Sequence, residues 1–159
     1  MNKLYRTLLT LATGALLALP AQAQQFINVL TGGTSGIYYP LGVGLSTNIG
    51  KALPNVKTSV QATKASLENR NLLQTGRGEI AFTLGDSLSD AWKGKEEAGF
   101  KAPLNKLRGI AAIYPNYIQI VARADSGIRT LADLKGKRIS VGAPRSGTEL
   151  NARTIFEAA

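Results

Sequence analysis

Neither cysteine nor histidine occurs among the 159 residues of this chain. Their absence excludes Ser-His-Asp and Cys-His nucleophiles, disulfides, thiolate redox centres and zinc sites built on sulfur or imidazole. Chemistry is left to carboxylates, amines, hydroxyls and backbone dipoles; no catalytic residue, metal site or cofactor is assigned. Acidic residues are scarce as well: 10 Asp and Glu stand against 19 Lys and Arg, a formal net charge of +9. So basic a chain raises nucleic acid, an anionic membrane surface or acidic small molecules as partners. The 44% hydrophobic and 18% charged content is that of an ordinary globular domain, and it excludes collagen-like and low-complexity classes.

Long apolar runs are confined to the N-terminus. Lys3 and Arg6 form a positive start, Leu8 to Leu19 is apolar apart from Thr and Gly, and Ala21-Gln22-Ala23 has the small-x-small form of a signal-peptidase site. Residues 1–23 therefore read as a signal peptide cleaved after Ala23. The apolar stretch is about a dozen residues, short of the roughly 20 that a spanning helix needs. Cleavage removes two of the basic residues, and the remainder is expected to be soluble outside the cytoplasm with no stable membrane insertion.

Beyond the leader, short β-like runs alternate with helical ones. Phe26 to Leu30 reads as a strand, and Thr31-Gly32-Gly33-Thr34-Ser35-Gly36 as a glycine-rich turn that opens a helix. Leu41, Leu45, Ile49 and Leu53 recur every four residues as one apolar stripe, with Pro40 in the first turn and Pro54-Asn55 as the stop. Val56, Thr58, Val60 and Ala62 alternate with Lys57, Ser59 and Gln61, the pattern of a half-buried strand. Ser66 to Gln74 is a helix expected to be capped by Ser66 and closed by Gly76 and Gly78. Ile80 to Leu84 is a buried strand, followed by a helix from Asp86 and Ser87 to Lys93. Gly109 to Ile113, Tyr117 to Arg123 and Arg138 to Val141 are further strand candidates, with a short helix at Leu131 to Lys135 and a last one from Glu149.

This alternation signals an α/β domain with a mainly parallel sheet. In such sheets ligands collect at the carboxyl ends of the strands. Three loops occupy that position, Gly32 to Gly36, Gly85 to Ser87 and Gly142 to Thr148, and the first and third offer hydroxyls and free N–H groups to an anion. None of them is a nucleotide loop, since the Gly-Lys-Ser/Thr of a P-loop and the GxGxxG fingerprint are both missing. Asp86 and Asp90 lie four apart on one helix, but near its N-terminus they read as dipole-stabilised carboxylates rather than an acid/base pair. Arg123 and Arg145 are the cations placed to pair bidentately with a carboxylate.

Several segments resemble the TAXI family of TRAP transporter solute receptors: Thr31-Gly-Gly-Thr-Ser-Gly-Ile-Tyr-Tyr-Pro-Leu-Gly42, Ala62-Thr-Lys-Ala-Ser-Leu-Glu-Asn69 and Gly78-Glu-Ile-Ala-Phe82 leading to Asp86. The likeness continues through Ile113-Tyr-Pro115, Val121-Ala-Arg-Ala-Asp-Ser-Gly-Ile128, Leu131-Ala-Asp-Leu-Lys-Gly-Lys-Arg-Ile-Ser-Val-Gly142 and Ser146-Gly-Thr148. It implies an α/β, type II periplasmic binding protein-like fold of two lobes hinged about a cleft. It also implies a periplasmic receptor that captures a small organic anion or an amino acid such as glutamate and delivers it to an ion-gradient-driven TRAP permease. On that resemblance residues 24–124 are the first lobe, incomplete, and 125–159 the crossover and the start of a truncated second lobe, an apparent fragment of a longer receptor.

The same resemblance places Gly33, Thr34 and Ser35 at the first helix start as carboxylate donors, with Tyr38 closing one wall. Ser66 and Asn69 come from the second helix, Asp86 from the third as acceptor for a ligand ammonium, Tyr114 from a strand end, and Arg145, Ser146, Gly147 and Thr148 from the second lobe. Two departures from the family pattern stand out. Lys64-Ala65 replaces small residues and sets a cation near the cleft mouth, while Leu84-Gly85 removes a frequent polar neighbour of Asp86. Rival readings are a periplasmic sensor input domain using the same cleft and, less favoured, a type II fold enzyme. Nucleic acid is disfavoured because export removes the partner and no basic stripe is interleaved with aromatics.

Overall fold

The computed structural model describes residues 24–159, so the leader read in residues 1–23 lies outside the described residues. The chain runs β1 (Gln25–Leu30), α1 (Tyr38–Ala52), β2 (Val56–Gln61), α2 (Ser66–Gln74), β3 (Ile80–Ala81) and α3 (Gly85–Lys93). Two short 3-10 turns, Glu96–Ala98 and Ala132–Leu134, precede α4 (Gly147–Ala158). The three strands form one parallel sheet in the order β2-β1-β3, with Val29 opposite both Val60 and Ile80. Mixed α/β structure around a small parallel sheet is the expected class.

The central strand shows why the sheet holds. Val29 and Leu30 are adjacent and both 0% exposed. Successive side chains on a strand point to opposite faces, so both faces are covered at this point, as parallel sheets require. On β2 the predicted alternation is present: Val56, Thr58 and Val60 are half-buried while Lys57, Ser59 and Gln61 are exposed.

The seam of α1 departs from the leucine stripe. Its buried residues are the small ones, Gly42 and Ser46, and Leu41, Leu45 and Ile49 flank them half-buried while Leu53 lies exposed. A Cβ at Gly42 would collide with the Thr31 methyl and stand 3.5 Å from Val29 and Val60. Small residues let the helix backbone approach the sheet, and the leucines close the sides of that contact.

Helix α2 has the predicted span but a different cap. The residue before it is Ala65, at φ 66°, in the left-handed region that a side chain rarely adopts, and Ser66 is already the first helical residue. The contact runs in the other direction, with Glu68 Oε2 in the first turn accepting from the Lys64 N–H that precedes the helix, at 2.6 Å. At the far end Gly76 (φ 71°) donates to Leu73 and Arg77 to Leu72, the paired bonds of a Schellman stop.

Strand β3 is shorter than predicted. Ladder pairing stops at Ala81 because β1 ends at Leu30; Phe82 makes one last bond to the Leu30 carbonyl, and beyond it the chain turns to α2, with Leu84 N–H on Ser66 Oγ at 3.1 Å. The strands expected at 109–113, 117–123 and 138–141 carry no ladder among the described residues, and the helix expected at Leu131–Lys135 is a single 3-10 turn. β propensity alone does not make a strand, which needs a partner for its hydrogen bonds. Ile110, Tyr117 and Val121 are accordingly 80%, 75% and 89% exposed. A second small core joins α2 to α3 through Leu67, Ala91, Ala98, Phe100 and Leu107.

Candidate ligand-binding site

The carboxyl ends of all three strands are tied together by one side chain. Asn69, on the buried face of α2, donates from Nδ2 to the Thr31 carbonyl at 2.6 Å and to the Phe82 carbonyl at 2.8 Å. Its Oδ1 lies 2.6 Å from Thr63 Oγ1, just past β2. Asn69 is 0% exposed and its amide is spent on the protein, so it braces the loops instead of facing a ligand. Thr31 is equally buried, its hydroxyl 2.8 Å from the Gln61 carbonyl.

Over this brace lie the aromatics. Tyr38, the first residue of α1, stacks on Phe82 with ring centroids 5.4 Å apart, and the Tyr114 ring lies 6.5 Å from it on another side. Burial pushes the Tyr38 phenol up to about 12, helped by Tyr114 and the Asp86 carboxylate; a hydrogen bond with the Ser66 hydroxyl and the charge of Arg70 oppose. Tyr38 is thus a neutral phenol through the physiological range. Burial raises the Tyr114 phenol too.

Ser66 also meets α4. A Cβ at Gly147 would stand 2.8 Å from Ser66 Oγ and 2.5 Å from a Leu84 methyl, so only glycine lets the start of α4 rest there. Ser146 is the N-cap, its Oγ accepting from the Glu149 N–H at 3.1 Å. The structure therefore brings together Tyr38, Ser66, Tyr114, Asp86 by its field on Tyr38, and the Ser146–Gly147 start of α4. Asp86 is exposed and its Oδ1 accepts from the neighbouring Ser87 N–H at 2.5 Å; it is the second residue of α3, with Leu84 at the cap position.

Other predicted residues stand apart. Gly33, Thr34 and Ser35 are exposed at the loop tip, and a Cβ on Gly33 would meet nothing. Thr148 is exposed beside Gly142. Arg145, at φ 65°, turns to the outer side of α2, where it lines a groove of about 300 Å³ with Lys64, Glu68, Asn71 and Arg77. Arg123 is not open to a ligand as it stands: its Nε and Nη2 hold the Asp125 carboxylate at 2.9 and 2.6 Å. A second groove of about 410 Å³ runs along α3 past Trp92 and Leu107, also away from Tyr38.

The sequence reading missed Arg70. It lies four residues after Ser66, one helical turn along the same face, and it is 1% exposed. Nη1 donates to Thr83 Oγ1 at 2.9 Å, and the guanidinium carbon stands 5.1 Å from the centre of the Phe100 ring. Nε and Nη2 are buried with no acceptor. Burial draws the group down to about 10, against the fields of Asp86, Asp90 and Tyr38, and leaves it cationic at neutral pH. The signal for it was a charge at a helix position otherwise shared by Ser66, Asn69 and Leu73, but a helical arginine reads as solvated when only spacing is known.

Among the described residues no group of three or more acidic side chains is arranged to hold a metal ion, and no helix is long and apolar enough to cross a membrane. The arrangement can offer hydroxyls, aromatic walls and one buried cation to a small solute. Residues 29–159 match the family model described as the NMT1-like family.

Proposed function

The chain belongs to the NMT1-like family, a periplasmic binding protein-like family, and on that premise we propose that it is an extracytoplasmic receptor for a small organic anion or amino acid. Membership points to solute binding in general. The finer reading is ours: a TAXI-type receptor, exported by its leader to the periplasm, that hands its ligand unchanged to a TRAP permease.

The observation that carries the reading is the meeting of three strand ends, bracketed by Asn69, beneath Tyr38, Tyr114 and the start of α4. Strand ends of a parallel sheet are where such folds bind ligands, and the basic balance of the chain favours an anion over a cation. In a two-lobed receptor the exposed Ile110, Ile113, Tyr117 and Val121 belong to surface that further structure covers.

Native mass spectrometry of the receptor purified from its own cells tests this. The expected spectrum shows a chain beginning at Gln24 with one small anion bound, released chemically unchanged on denaturation. A ligand-free chain under all growth conditions, or a chemically altered product, overturns it.

A further inference from the structure

Building on that reading of the site, we propose that Arg70 is its carboxylate-recognising residue, with Nε–H and an Nη2–H forming a side-on fork for the two oxygens of a ligand carboxylate. The chain itself shows what this fork does when a carboxylate is in reach. Arg123 directs Nε and Nη2 at the two oxygens of Asp125, at 2.9 and 2.6 Å, and Arg153 directs the same two atoms at Glu149 Oε1, at 2.9 and 2.6 Å. Arg123, Asp125 and Arg153 are largely exposed, where water would serve nearly as well, while Glu149 is mostly covered.

Arg70 reverses the situation. It is 1% exposed, out of contact with bulk water, and the same two nitrogens have no acceptor among the described residues. A buried donor left unpaired is costly, and a buried cation more so. Its other contacts, Nη1 on Thr83 and the ring face of Phe100, fix the plane of the guanidinium and leave the Nε/Nη2 edge without an acceptor. The nearby acids are otherwise engaged: Asp90 is paired with Lys95 at 2.9 Å, and Asp86 accepts from the Ser87 N–H. No ion pair among the described residues includes Arg70.

Thr83 lies two residues past the end of β3, so the guanidinium sits beside the strand ends already described. A flat, two-pronged donor matches a planar carboxylate better than a spherical halide. Both nitrogens are covered, so a carboxylate reaches them only when the surrounding shell opens, which would make association slower than simple encounter.

The test follows the arginine Nε–H signals of the full chain by NMR, with Arg70 assigned through R70K, during titration with acetate and with chloride at equal ionic strength, then with L-glutamate and succinate. Acetate is expected to shift the Arg70 signal and chloride to leave it in place. R70M is expected to keep the fold, unfold at no lower urea concentration than the parent, and lose carboxylate affinity at least tenfold. Should R70M fail to fold, R70K keeps the charge without the fork and carries the same expected tenfold loss. An Arg70 signal unmoved by every carboxylate, or affinity unchanged in the variant, overturns the assignment. If acetate engages Arg70 while glutamate and succinate bind no tighter than acetate, the assignment of Arg70 stands and the solute-receptor reading falls.

Discussion

The Asn69 amide donates to the carbonyl of Thr31 across 2.6 Å, joining the middle of α2 to the residue at which β1 ends. Both residues are fully buried, so this bond has no competing water. The second donation, to Phe82, makes Asn69 the one side chain that sets the spacing of the loops after β1 and β3.

Substituting Asn69 by alanine removes the donor from the buried Phe82 carbonyl, while the Thr31 carbonyl still accepts from Thr63 Oγ1 at 2.9 Å. At about 1–3 kcal/mol for an unsatisfied buried group, a loss of that order is expected. Urea denaturation of N69A beside the parent measures it. A change below about 0.5 kcal/mol would show that Asn69 is not the brace described.

Gly42 and Gly44 lie on the same helix but predict opposite signs. Alanine at 42 meets the Thr31 methyl, and Thr31 cannot turn aside because its hydroxyl is held by the Gln61 carbonyl. Overpacking of this kind costs about 1–3 kcal/mol. Alanine at 44 meets nothing, and replacing a glycine inside a helix stabilises by about 0.5–1 kcal/mol. Melting temperatures of G42A and G44A should therefore fall on opposite sides of the parent's.

Tyr38 predicts an alkaline dependence. Its phenol is held protonated in the folded protein up to about 12, whereas an unfolded tyrosine ionises near 10.0. Between these values the unfolded chain binds fewer protons than the native one, so stability falls as pH rises. The contribution is fully present below pH 10 and is lost on approaching 12. Comparing melting temperatures of the parent and Y38F from pH 9 to 12 isolates it, and parallel curves would refute it.

Ser146 caps α4, and its loss should be felt there. S146A removes the acceptor of the Glu149 N–H, at a cost of about 0.5–2 kcal/mol. Hydrogen exchange in the first turn of α4 should quicken in that variant, while S126A, in an exposed turn, should leave that helix unchanged.

Arg123 yields a deliberately flat prediction. Its partner Asp125 and itself are both largely exposed. D125A is expected to alter neither stability nor carboxylate affinity beyond experimental error, which calorimetry and urea titration read together. A clear gain in affinity would restore Arg123 as an anion donor.

How much of this was legible beforehand varies with the range of the interaction. The alternation in Val56–Gln61 and the span Ser66–Gln74 could be read directly, because period and stop signals are local. The seam of α1 could not, since leucines outrank glycine in any apolar pattern and only the neighbouring strand reveals that Gly42 and Ser46 make the closest approach. Residues 109–123 read as strands by propensity, yet pairing depends on a neighbour that propensity does not supply.

The site divides in the same way. Sequence alone determined the chemical vocabulary: no thiol, no imidazole, an excess of cations, a parallel α/β pattern, and loops at the strand ends with Tyr38, Ser66 and Gly147 among them. Tertiary structure decided which of these meet. It set Asn69 as a brace, paired Arg123 with Asp125, turned Arg145 outward, and buried Arg70 with two of its nitrogens unpaired. The reason is physical: whether a charged or amide side chain is a solvated ornament, a structural tie or a recognition group depends on its burial and partners, and those are fixed by contacts between residues far apart in the chain.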